Sequence, residues 1–127
     1  MADPISTIYR FILPEGILEL FDVDDCREQN GNLTIVLKEK AVKPPEHNNR
    51  NLISKGFSRP IKVQDFPIRE HKVFLEVYRR KWYCPDQKQT FCRDLKLTAD
   101  GTSLTKEFAD FLKEVAGPIP DQYKPIG

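Results

Sequence analysis

FDVDDCREQNGNLTIVLKEK, residues 21–40, decides the fold class of this 127-residue chain. Phe21, Val23 and Asp25 alternate with acids, and beyond Asn30-Gly31 the residues Leu33, Ile35 and Leu37 alternate with polar neighbours. A period of two marks strands that bury one face. An Asn-Gly pair between two such runs marks a tight turn, because both of its residues must adopt positive φ. The stretch predicts a β-hairpin over 21–40.

Upstream, Ile5, Ile8, Tyr9 and Ile12 recur at helical spacing behind Asp3-Pro4, a capping oxygen followed by a ring with preset φ. Pro14 and Gly16 interrupt this helix, and Ile17, Leu18, Leu20 and Phe21 allow one more helical turn. Downstream, Pro44-Pro45 and the polar run to Asn51 predict a loop, since two prolines remove donors and nothing after them can be buried. Lys55–Phe57 and Ile61–Val63 read as short extended pieces, with Asp65-Phe66-Pro67-Ile68 closing them through a proline that bars further pairing.

Lys72 to Tyr83 is the longest strand candidate. One face carries Val73, Leu75, Val77, Arg79, Lys81 and Tyr83, and the other Phe74, Glu76, Tyr78, Arg80 and Trp82. Both faces are apolar early and mixed later, so the strand is expected to start in the core and emerge from it, with Gln89–Leu95 as its hairpin mate. Leu104, Phe108, Phe111, Leu112 and Val115 then form an apolar stripe on a C-terminal helix that Gly117-Pro118 ends. The expected fold is α+β: a small antiparallel sheet of about four to six strands with an N-terminal helix and a C-terminal amphipathic helix. Residues 1–117 are expected to form one domain, and the proline-rich 118–127 an extended tail.

No apolar run approaches the ~20 residues needed to span a bilayer, and Met1 to Pro4 lack the layout of a secretory signal, so a cytoplasmic location is expected. The three cysteines Cys26, Cys84 and Cys92 suit free thiols in a reducing compartment. The net charge of +1 hides an asymmetry. Residues 1–30 hold two basic side chains against seven acids, 31–97 hold fifteen against seven, and 98–127 hold three against five. A basic middle hints at a polyanionic partner, unless the acidic ends fold back to neutralise it.

Cys84-Pro85-Asp86-Gln87 has the outline of a metal-binding knuckle whose second cysteine is Gln87, and the Pro44 to His47 loop where a partner pair belongs has no cysteine. A structural zinc site needs four ligands, normally in two close pairs, so Cys84, Cys92 and His47 are not expected to hold zinc and no cofactor is expected. A nucleophilic cysteine would need a base and an orienting group beside it, which two scattered histidines do not offer. Asp22, Asp24 and Asp25 resemble metal-holding carboxylates, but alternation puts Asp22 and Asp24 on one face and Asp25 on the other. No catalytic residue is assigned. What remains is the basic set Arg79, Arg80, Lys81 and Trp82, extended by Arg59, Lys62 and Lys55, with Tyr83, Arg69, Lys72 and Arg93 nearby. Cations that displace counterions beside flat aromatic groups fit nucleic-acid backbones, although an Arg-Arg-Lys run also serves protein partners. The other reading pairs these cations with acids such as Glu70 and Glu76 and places Trp82 in the core.

Ile12-Leu13-Pro14-Glu15-Gly16, Phe21-Asp22, Ser54-Lys55-Gly56-Phe57, Asp65-Phe66-Pro67-Ile68-Arg69, Arg79-Arg80-Lys81-Trp82, Gly101-Thr102 and Glu107 to Glu114 follow in that order. The series, over residues 8–115, resembles the N-terminal-region protein of ISAon-type insertion sequences. In that family the transposase is split: a first reading frame encodes this region and a second the catalytic part. The family is similar to longer transposases with an N-terminal zinc ribbon, so the resemblance implies a degenerate, metal-free ribbon here. After the tryptophan, Tyr83 to Lys88 replaces the family's usual basic connection containing threonine and glycine. The resemblance implies a non-catalytic region that binds transposon-end DNA through Arg79, Arg80 and Lys81, with Arg59 and Lys62 extending the track and Trp82 stacking or bracing. The alternative is a module that docks on the catalytic transposase subunit without touching DNA, through the acidic first segment and the tail.

Overall fold

The computed structural model describes residues 4–44, 51–93 and 95–116. The expected 21–40 hairpin is present: β1 (Phe21–Gln29) pairs antiparallel with β2 (Asn32–Glu39), and Asn30 and Gly31 turn the chain with φ of 55° and 79°. Before it lie α1 (Pro4–Ile12) and the single turn α2 (Ile17–Leu20); the expected Asp3 cap lies outside the described residues.

Five further strands follow: β3 (Ile53–Phe57), β4 (Ile61–Ile68), β5 (His71–Tyr78), β6 (Arg80–Cys84) and β7 (Gln89–Cys92). They do not form one antiparallel sheet. A four-stranded sheet has the order β1-β2-β5-β4 and a three-stranded sheet the order β3-β6-β7. The two hairpins β1-β2 and β4-β5 lie side by side, so that β2 runs parallel to β5. That pairing sets Leu33, Ile35 and Leu37 beside Val73, Leu75 and Val77, and two apolar rows become one continuous surface. Leu13 and Ile17 of the helical corner are buried with these rows, and Tyr9, Leu95 and Leu97 pack against the cluster. Burial of this kind is worth ~1.5–3 kcal/mol for each large aliphatic side chain.

Pro67 does not end β4. The strand continues to Ile68 through an irregularity between Asp65 and Ile68. A proline is tolerated there because β4 is the last strand in the sheet order and the irregularity spares the missing donor. The β4-β5 turn is Arg69-Glu70, at φ of 50° and 69°, a conformation that neither residue type advertises.

The long strand from residue 72 to 83 is interrupted at Arg79 and shared between the sheets. Burial falls on Val73, Leu75 and Val77 before the break and on Trp82 and Cys84 after it. The phase thus reverses, and the second half enters a small core of Leu52, Trp82, Cys84 and Phe91 instead of emerging from one. After β7 the chain crosses back over the four-stranded sheet. Gln64 N–H donates to Ser103 O (2.8 Å) and Thr105 N–H to Gln64 O (2.9 Å), which places this segment along β4. Then α3 (Lys106–Ala116) begins, its Phe108 N–H donating to the Thr105 hydroxyl (3.4 Å). Of the expected apolar stripe, Leu104 and Phe108 are buried, while Phe111 and Val115 stay exposed. The Pro45 to Arg50 part of the predicted loop, Gly117 and the 118–127 tail lie outside the described residues. Among the described residues, no helix is long and apolar enough to cross a membrane.

Candidate nucleic-acid interface

The charge asymmetry of the sequence becomes spatial in the three-stranded sheet. Residues 51–59 and 79–93, which build it and its flanks, contain Lys55, Arg59, Arg79, Arg80, Lys81, Lys88 and Arg93 against a single acid, Asp86. Among the described residues the acids of the first segment form no salt bridge with these cations, although Asp24 and Asp25 line a cleft with Phe57 and Ser58 at the edge of this sheet. Asp24 pairs with Lys38 (3.4 Å) and Asp22 with Lys40 (3.8 Å), while Glu76 is taken by Arg27 and also accepts from the Tyr78 hydroxyl (3.1 Å). The assignment of the aspartates to faces changes as well. Asp24 is the extra residue of a β-bulge, since Val23 pairs with Leu37 and Asp25 with Val36, so Asp22 and Asp25 share the face turned away from the core.

The register of the three-stranded sheet sorts the expected site residues. Ile53, Tyr83 and Thr90 lie abreast, as do Lys81 and Cys92, on one face. Lys55 joins them, its ammonium 5.8 Å from the Tyr83 ring centre. Lys55 and Lys81 thus flank one aromatic ring, and Arg59 is exposed just beyond β3. Lys55, Arg59, Lys81 and Lys88 have no carboxylate within salt-bridge distance among the described residues.

The opposite face is occupied by structure. Trp82 is 3% exposed, packed with Leu52, Cys84 and Phe91; it braces the sheet and presents no ring face for a base. Arg80 is held by four contacts. Its guanidinium donates to the main-chain oxygen of Glu39 (3.3 and 3.0 Å) and to the Ser54 hydroxyl (2.6 Å), and its carbon lies 4.8 Å from the Phe57 ring centre. The Glu39 carboxylate, 1% exposed, accepts the Arg80 main-chain N–H (3.2 Å) and Arg93 Nε (3.4 Å). Glu39 therefore clamps the end of β2 to the start of β6 and to Arg93, joining the two sheets. Arg79 sits at the strand break with its Nε buried and unpartnered, and its carbonyl accepts from Ser58 N–H (2.9 Å). Lys62 lies elsewhere, on the outer face of the four-stranded sheet 4.5 Å from the Phe74 ring centre.

Cys84 and Cys92 point to opposite faces of one hairpin: Cys84 is opposite Gln89 and fully buried, whereas Cys92 is opposite Lys81. Alternation forbids them a shared tetrahedral centre, and His47 lies outside the described residues. Among the described residues no cluster of three metal-ligating side chains is present.

A cavity of about 290 Å³ opens beside the main core, walled by Phe21, Val63, Leu75 and Val77, with Lys106 and Glu107 at its mouth. Nearby, Asp65 is 2% exposed, and burial raises its pKa above the ordinary aspartate value although the Thr105 hydroxyl (2.8 Å) and the Phe66 N–H oppose the shift. Glu107 is raised too, by partial desolvation and then by the negative charges of Asp65 and Glu15. The Asp65–Thr105 bond holds the start of α3.

No family model, curated protein or solved structure matches the chain.

Sequence reasoning missed Glu39, which reads as one more charged residue at a strand end. It also grouped Arg80 and Trp82 with Lys81, although adjacent strand residues face opposite ways. Tyr83 was the signal to follow, because it shares its parity with Lys81.

Proposed function

We propose that this chain is the non-catalytic, DNA-binding N-terminal region of a two-frame bacterial transposase, holding transposon-end DNA for a catalytic subunit encoded by an adjacent frame. The observation that carries the DNA reading is the set of cations Lys55 and Lys81 on the three-stranded sheet with Arg59 and Lys88 beside it, none of them salt-bridged to a carboxylate among the described residues. Unpaired cations on a rigid surface can displace counterions from phosphates, whereas paired ones such as Lys38 and Arg27 are already neutralised. The motif order from Ile12 to Glu114 supports the transposase reading. On this reading the three-stranded antiparallel sheet, turning just after Cys84, would be the metal-free ribbon.

Titration of terminal-repeat duplex DNA at a series of salt concentrations tests this. Each phosphate contact contributes ~0.9 to the slope of log K against log salt, so Lys55→Ala with Lys81→Ala is expected to lower the slope by about 2 and to weaken binding to all duplexes alike. Absence of binding at about 50 mM salt refutes the proposal.

One observation favours a second contact, with the catalytic subunit. Ile5, Ile8 and Phe11 form an uncovered stripe on α1, Phe11 being 83% exposed. Co-expression of the two frames with Ile8→Asp and Phe11→Asp is expected to lose the complex while DNA binding persists. Retention of the complex removes α1 from that contact.

A further inference from the structure

The β6-β7 hairpin presents an uninterrupted polar tip. Asp86, Gln87, Lys88, Gln89 and Thr90 are all exposed, and none makes a side-chain hydrogen bond or ion pair with a described residue. The tip is nevertheless rigidly rooted. Four successive ladder pairs, from Lys81 with Cys92 to Cys84 with Gln89, lead to it, and the strand below is anchored by buried Trp82 and Cys84. A mobile polar loop would need no such footing.

We propose that this tip enters the major groove of duplex DNA and that Gln87 and Gln89 read base edges there, a role that rests on the DNA-binding reading above. Two strands ~4.8 Å apart make a ribbon that the ~12 Å major groove admits. Phosphate contacts position a protein on DNA and base contacts specify the sequence. The residues divide in that way: Lys55, Lys81 and Arg59 lie back from the tip as phosphate contacts, while the tip carries amides. A glutamine amide donates to N7 and accepts from N6 of adenine, so the tip selects adenine-containing steps. Lys88, held at φ 52° between the two glutamines, adds a cation to the same groove.

Selection from a randomised duplex pool tests the assignment, using the full chain as wild type, as Gln87→Ala with Gln89→Ala, and as Lys55→Ala with Lys81→Ala. The wild type is expected to enrich a short motif containing adenine and to prefer it about 10- to 100-fold over random duplex. The glutamine variant should bind random duplex within about threefold of wild type, which also shows it to be folded, yet lose the preference. The lysine variant should weaken on all sequences and keep the motif. Enrichment of the same motif by the glutamine variant overturns the assignment, as does equal loss of random and motif binding, or wild-type binding without any preference; in those cases the DNA-binding reading stands. Failure of the wild type to bind any duplex removes both.

Discussion

Replacing Glu39 with alanine should damage this protein more than any change to the exposed cations. Glu39 is 1% exposed, and the Arg93 side chain that it faces is 11% exposed, so the carboxylate is shut off from water and the guanidinium largely so. The substitution orphans the Arg80 main-chain N–H and leaves the Arg93 guanidinium with the Val42 carbonyl as its remaining described partner. Breaking a buried pair by removing one member costs about 3–5 kcal/mol, because the other charge stays desolvated. A domain of ordinary stability has only ~5–15 kcal/mol in total, so the loss takes a large part of it. With a urea m-value of ~2 kcal/mol/M, the unfolding midpoint should fall by about 2 M. Glu39→Gln retains an oxygen for the Arg80 N–H and should fall roughly halfway. The double change Glu39→Ala with Arg93→Ala is the sharper assay: removing the stranded cation should make it cost clearly less than the sum of the two single changes. A loss below ~1 kcal/mol for Glu39→Ala, or strict additivity in the double variant, refutes the view that this carboxylate joins the sheets.

Trp82→Ala should cost ~3–5 kcal/mol by thermal or chemical denaturation, whereas Trp82→Phe should cost far less, because the indole N–H has no partner to lose. Asp65 is an acid whose pKa is raised on folding, so the folded state holds its proton more tightly; its contribution to stability falls as pH rises from about 3.8 through the raised value. Asp65→Asn should therefore gain on wild type between pH 4 and pH 7 in paired denaturation curves, and a constant difference across that range would contradict the burial argument. Glu70→Gly should stabilise by roughly 0.5–1 kcal/mol, since the residue sits at φ 69° where a side chain is strained, and an unchanged midpoint would place the strain elsewhere.

Much of the local structure was legible because it depends on neighbours in sequence. Asn30-Gly31 specifies its turn through backbone sterics alone, and the alternation on either side needs only the strand period. The α1 spacing, the extra turn at Ile17 to Leu20 and the stripe leading into α3 were legible for the same reason. The Arg69-Glu70 turn was not, since its positive φ values are imposed by the Ile68 to His71 pairing. Likewise Pro67 reads as a terminator until the sheet order makes β4 a terminal strand.

The sequence by itself determined an α+β chain with a basic middle, a hairpin at 21–40 and helices near its ends. Only the tertiary structure decided that β2 lies parallel to β5, that the long strand changes sheets at Arg79, and that Arg80 and Trp82 turn inward while Lys81 and Tyr83 turn outward. The physical reason is that a strand's two faces are equivalent until a partner covers one of them. Leu33, Ile35 and Leu37 carry no mark naming Val73, Leu75 and Val77 as their row, and a phase reversal at one residue exchanges every later side chain between core and solvent.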